Sequence, residues 1–104
     1  MVKSKRQRLI EKGWKVGTVS EFLELTPEET TLIEIKLVLS RHLKERRQKA
    51  MTQTELAEKL HSSQPRIAKA ENGDASVSIE LLIRAMLATG ATPQEIGQVI
   101  AQVE

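Results

Sequence analysis

The chain has 104 residues, 16 Lys/Arg against 14 Asp/Glu for a net charge of +2, no Cys, and only Trp14 and Phe22 as aromatic residues. That length suits one domain with a single modest core. The absence of Cys excludes a disulfide framework and thiolate catalysis and fits a reducing cytoplasm, where the protein is expected.

Residues 1–8 read as a frayed basic arm. The start, MVKSKRQRLIEKGW, has no apolar run of the kind a signal peptide needs. Gln7 to Lys12 reads as a short helical piece ended by Gly13. Trp14 to Val19 is the one stretch with strand character, because Trp14, Val16 and Thr18 alternate with Lys15, Gly17 and Val19. A lone strand needs a pairing partner, either its own copy in a second chain or a strand of another protein. Thr18-Val-Ser-Glu21 has the spacing of a capping box and opens a short helix that shows Phe22, Leu23 and Leu25.

Thr26-Pro-Glu-Glu29 is a second capping box, with Pro at the first helical position. It opens a long helix from Pro27 to about Lys49. Leu32, Ile35, Leu39 and Leu43 form its main apolar stripe, with Ile33, Leu37 and Val38 beside it.

Thr52 and Glu55 make a third capping box, after which Leu56, Ala57 and Leu60 fall on one helical face. A three-residue turn, His61-Ser62-Ser63, separates this helix from the next. Ser63 caps the next helix, Pro65 stands in its first turn, and Asn72-Gly73 ends it. Two helices joined so tightly must cross steeply, which asks for a small residue at the crossing, Ala57, and an apolar anchor, Ile67. Ile67 and Ala70 then face the first helix, while Gln64, Arg66 and Lys69 face outward. Amide and guanidinium groups are the side chains that bond adenine and guanine in a bidentate way.

Ser78 caps a helix from Ile79 to about Thr89, with Ile79, Leu82, Ile83, Met86 and Leu87 as its expected buried side. Gly90 ends it. Thr92-Pro-Gln-Glu95 is a fourth capping box and opens a last helix showing Ile96, Val99, Ile100 and Val103. That stripe suits core packing and a dimer seam equally.

Charge follows this organisation. Residues 1–20 carry six Lys/Arg against one Glu, residues 21–35 five Glu and no base, and residues 36–73 nine Lys/Arg against four Glu. Residues 74–104 carry one Arg against four acids. The basic centre therefore coincides with the tight helix pair, as a polyanion would require. Neither aromatic lies in it, which argues against single strands stacked on an aromatic platform. His42 and His61, with no Cys, do not have zinc-site spacing, and there is no Gly-rich phosphate loop or nucleophile–base pattern. The expectation is a non-enzyme that needs no cofactor and no metal.

Thr52-Gln53, Glu55-Leu56-Ala57, Ser63-Gln64, Ile67 and Glu71-Asn72-Gly73 resemble, in register, the helix-turn-helix of the XRE, or lambda-repressor-like, family. Three positions depart from the family pattern: His61 and Ala50 stand where Gly is usual, and Ser62 where an apolar residue is usual. The resemblance implies an all-α, five-helix DNA-binding domain over residues 27–104, with the helix-turn-helix at 52–73. Residues 1–26 would be an N-terminal extension. It implies double-stranded DNA as partner and a homodimer as the binding unit. Gln64 would read a base, Arg66 and Lys69 a base or phosphate, and Pro65 a thymine methyl. Gln53, Thr54, Ser63 and Asn72 would fix register on phosphates, with Arg47 and Lys49 free for further phosphates. Arg46 and Glu71 would form a structural ion pair.

The basic start, Gly-Trp-Lys-Val-Gly-Thr-Val, the Phe-Leu helix and the long acidic-then-basic helix together resemble HigA-like antitoxins. These bind a RelE-like ribonuclease toxin and repress their own operon. Trp14, Val16, Val19, Phe22 and Leu23 would then contact the toxin. A stand-alone repressor and a protein-interaction module that no longer binds DNA are the alternatives.

Overall fold

The computed structural model describes residues 25–103, and the expected strand and short helices before Leu25 lie outside them. Five helices and no strand occupy the described residues: α1 (Pro27–Ala50), α2 (Gln53–Lys59), α3 (Gln64–Glu71), α4 (Ile79–Ala88) and α5 (Pro93–Ile100).

Side chains start and stop these helices as their chemistry dictates. Thr26, Thr52 and Thr92 each accept a hydrogen bond from the backbone N–H three residues on, and Glu29, Glu55 and Glu95 each return one to the cap's own N–H. Ser63 and Ser78 cap α3 and α4 with the hydroxyl alone. Helices of 7 and 8 residues, such as α2 and α3, are too short to persist unaided, so caps and packing hold them.

Three helices end in the same way, with a left-handed residue that lets two backbone N–H groups turn back onto the last turn. After α3 and α4 that residue is Gly73 (φ 73°) and Gly90 (φ 97°). After α2 it is His61, at φ 51°; His61 N–H donates to the Glu58 carbonyl and Ser62 N–H to the Ala57 carbonyl. The departure from Gly at this position therefore leaves the turn intact, at the steric cost a Cβ meets in that region.

The core is one cluster, in which Leu39, Leu43, Leu56, Ile67, Leu82 and Met86 are the large side chains fully enclosed. Polar contacts fix the helix directions. Lys36 Nζ donates to the Ala75 carbonyl ahead of α4, and Arg46 reaches Thr89 just beyond it, so α1 and α4 run in the same sense. Arg46 also bonds Glu95 and Arg41 bonds Gln102, so α5 runs back along α1. Ile96 and Val99 are buried, and Ile100 and Val103 pack against the same cluster, so the last stripe is core.

Two apolar expectations are corrected. Leu87 is 46% exposed, while Leu81 and Ala85 are buried. Packing against α1, α2 and α5 at once has rotated the enclosed face of α4 toward residues 81, 82, 85 and 86. Leu32 is 47% exposed, because α1 joins the described core only from Ile35 onward.

A candidate nucleic-acid interface

The helix-turn-helix presents one side of α3 outward. Ile67 and Ala70 are completely enclosed, whereas Gln64, Pro65, Arg66, Lys69 and Asn72 are exposed. The spacing of inward and outward residues explains this: positions 67, 70 and 71 face α1 and α2, leaving positions 64, 65, 66 and 69 on the far side. Thr54, Ser63 and Lys49 are also exposed, while Gln53 is half-buried.

Behind α3 lies a bidentate ion pair. Arg47 donates from Nε to one Glu71 oxygen at 2.7 Å and from Nη2 to the other at 2.8 Å, and Nη1 donates to the Met51 carbonyl at 3.3 Å. The expected pairing of Glu71 with Arg46 is thus corrected. One residue further along α1 is a rotation of about 100°. Arg47 faces α3, whereas Arg46 faces the other side and bonds Thr89 and Glu95. Arg47 is also not the free phosphate-binding cation expected, since its guanidinium is turned inward and its side chain is only 13% exposed.

Burial by itself would raise the pKa of Glu71. The hydrogen bonds from Arg47 and Gln53, with the charges of Arg47 and Lys44, outweigh it and hold the carboxylate below its usual range. The hydrogen bonds to Glu71, with its charge, raise Arg47 against its own desolvation.

The ion pair sets the orientation of two amides. An ionised carboxylate only accepts hydrogen bonds, so Gln53 must turn its NH₂ toward Glu71, which it does at 3.1 Å. Gln53 Oε1 then faces outward and accepts from Gln64 Nε2 at 2.6 Å. Gln64 is left with one N–H and its carbonyl oxygen directed to solvent, a donor beside an acceptor. Adenine presents the complementary pair, N7 and N6–H, in the major groove.

An open cleft between the end of α1 and the starts of α2 and α3 is lined by Arg47, Gln48, Met51, Thr52, Gln53, Thr54, Glu55 and Gln64. It gathers Arg47, Gln53, Thr54 and Gln64 from the expected site. Pro65, Arg66, Lys69 and Asn72 lie outside it along α3 and its cap, and Lys49 is not among its walls. Gln48 was missed by sequence reasoning. Its only signal is its position four residues before Thr52, which becomes informative once α1 is known to run to Ala50. Ser62, at the turn position where an apolar residue is usual, buries its Oγ without a hydrogen-bond partner.

Residues 43–96, just over half of the chain, match the profile described as Helix-turn-helix. The chain belongs to this family of DNA-binding regulators, of the XRE type. No curated protein and no solved structure matches it. Among the described residues there is no cluster of three or more acidic, His or Cys side chains that could hold a metal, and no helix long and apolar enough to cross a membrane.

Proposed function

We propose that the chain is a sequence-specific, double-stranded DNA-binding repressor that acts in the cytoplasm as a homodimer. The observation that carries this reading is Gln64: exposed at the start of α3, and held by Gln53 and Glu71 with a donor and an acceptor facing out. Gln64 reads adenine. Arg66 and Lys69 contact neighbouring bases or phosphates, and Pro65 packs on a thymine methyl. Side chains of Thr54, Ser63, Asn72 and Lys49 bond phosphates and set the register, since such contacts position a protein without reading sequence. One short helix spans few base pairs, so two copies reading half-sites ~34–36 Å apart supply the specificity.

Gln64→Ala should relax selectivity at one base pair by ~1–3 kcal/mol, read from binding to a panel of variant sites. An unchanged ranking of the panel would remove Gln64 from base reading.

Within this role we place the protein as the antitoxin of a toxin–antitoxin pair, neutralising a RelE-like toxin and repressing its own operon. The support is the resemblance of the basic start, Gly-Trp-Lys-Val-Gly-Thr-Val, the Phe-Leu helix and the long acidic-then-basic helix to HigA-like antitoxins, of which residues 1–24 lie outside the described part. Trp14, Val16, Val19, Phe22 and Leu23 are the proposed toxin contacts. Co-expression with the neighbouring reading frame tests this. A small basic protein that co-purifies, and is growth-inhibiting without this chain, supports the pairing. A neighbour that is harmless alone and does not bind leaves a stand-alone repressor.

A further inference from the structure

Two lysines of α1 stand outside the expected site but beside it. Residues 36, 40, 44, 47 and 48 recur at helical spacing and share one face of α1. The contacts show what that face looks toward. Arg47 bonds Glu71 at the end of α3, Gln48 lines the cleft with Gln53 and Gln64, and Leu37 lies against Gly73. Lys36 Nζ sits 3.0 Å from the Ala75 carbonyl in the loop after α3. Ser40, between the two lysines, is buried. Lys44 is exposed, and its charge acts on Glu71; those of Lys36 and Lys69 both act on Asp74. Lys36 thus reaches the loop after α3, and Lys44 shares the face of α1 from which Arg47 bonds the end of α3. There Glu71 and Asp74 are already hydrogen-bonded within the protein.

We infer that Lys36 and Lys44 form a second phosphate-contacting track, which follows the DNA backbone beyond the base pairs read by α3. This rests on the DNA-binding reading above and extends its footprint. The eight-residue step from one to the other spans ~12 Å of helix axis, close to the rise of three or four base pairs. An ammonium has three donors, so the bond from Lys36 to Ala75 leaves it able to hold a phosphate oxygen. Contacts to phosphate carry no base information, so the track adds affinity and orientation without sequence preference.

The test is the salt dependence of binding to a mixed-sequence duplex of about two helical turns, followed by fluorescence anisotropy between roughly 50 and 200 mM salt. Each phosphate contact removed should lower the log–log slope by ~0.9, so Lys36→Gln with Lys44→Gln should lower it by ~1.8. Lys44→Arg should restore its share, and Arg84→Gln, an exposed cation on α4, should leave the slope as it is. If the double variant folds poorly, Lys44→Gln alone carries the same expectation of ~0.9. A native slope in the lysine variants, while Arg66→Ala lowers it, would overturn the track and leave DNA binding standing. An equal fall with Arg84→Gln would also overturn it, by assigning the effect to net charge. A native protein that binds no duplex at low salt would overturn both the track and the reading it rests on.

Discussion

The ion pair behind α3 is where single residues matter most. Removing one partner of a buried pair strands the other's charge, which typically costs ~3–5 kcal/mol. Arg47→Met leaves the Glu71 carboxylate, 1% exposed, without its fork of donors. Chemical denaturation should show a loss of about 3 kcal/mol or more. Arg46→Met removes a pair whose side chains are 33% and 44% exposed, where water replaces the lost partner, so its effect should be much smaller. Equal effects would contradict the assignment of Glu71 to Arg47. The same pair predicts a pH dependence. Glu71 is held below its usual pKa in the folded state, so it binds a proton more readily when unfolded. Its contribution to stability is complete above the ordinary glutamate value of about 4.3 and is lost as pH falls through the lower, folded value. Glu71→Gln should flatten the acid limb of the stability–pH curve. The limb should not vanish, since Glu55, Asp74 and Glu95 are lowered too.

At the scale of elements, the instructive feature is the turn between α2 and α3. His61 takes the left-handed conformation in which Gly73 and Gly90 end their helices. A side chain there costs ~1–2 kcal/mol, partly offset by the ~0.5–1 kcal/mol of chain entropy that glycine would lose on folding. His61→Gly should therefore raise stability by about 0.5–1 kcal/mol, visible as a higher midpoint in thermal melting. A lower midpoint would mean that the imidazole makes a compensating contact. The turn matters for function because it fixes how α3 lies on α2, and with it whether Gln53 can reach Gln64.

The described residues share a single core, with the proposed recognition surface on one side. Leu39 touches no solvent in the middle of α1, the helix against which α3, α4 and α5 all pack. Leu39→Ala should cost ~2–5 kcal/mol, the sum of lost transfer energy and an unfilled cavity. Because the cluster is continuous, the loss should appear as one cooperative transition shifted to lower denaturant. Leu87→Ala, at a site 46% exposed, should shift it far less. A large effect at Leu87 would place that side chain in an interface.

Local chemistry is legible in a linear chain, and most of this fold was written in it. Capping-box spacings located the starts of α1, α2 and α5, because the bonds involved span only three residues. Glycine and asparagine located the ends of α3 and α4 for the same reason. The outward set Gln64, Arg66 and Lys69 followed from helical periodicity once Ile67 was taken as the anchor. What depends on the relative rotation of two packed helices was not legible. Arg46 and Arg47 are adjacent cations with equal claims on Glu71, and Leu81 and Leu87 are apolar residues with equal claims on the core. Each choice turns on about 100° of rotation, which only the simultaneous packing of α1, and of α4, against three neighbours decides. The relay from Glu71 through Gln53 to Gln64 joins residues up to eighteen positions apart, and it exists only because tertiary contact brings α2 and α3 to one point.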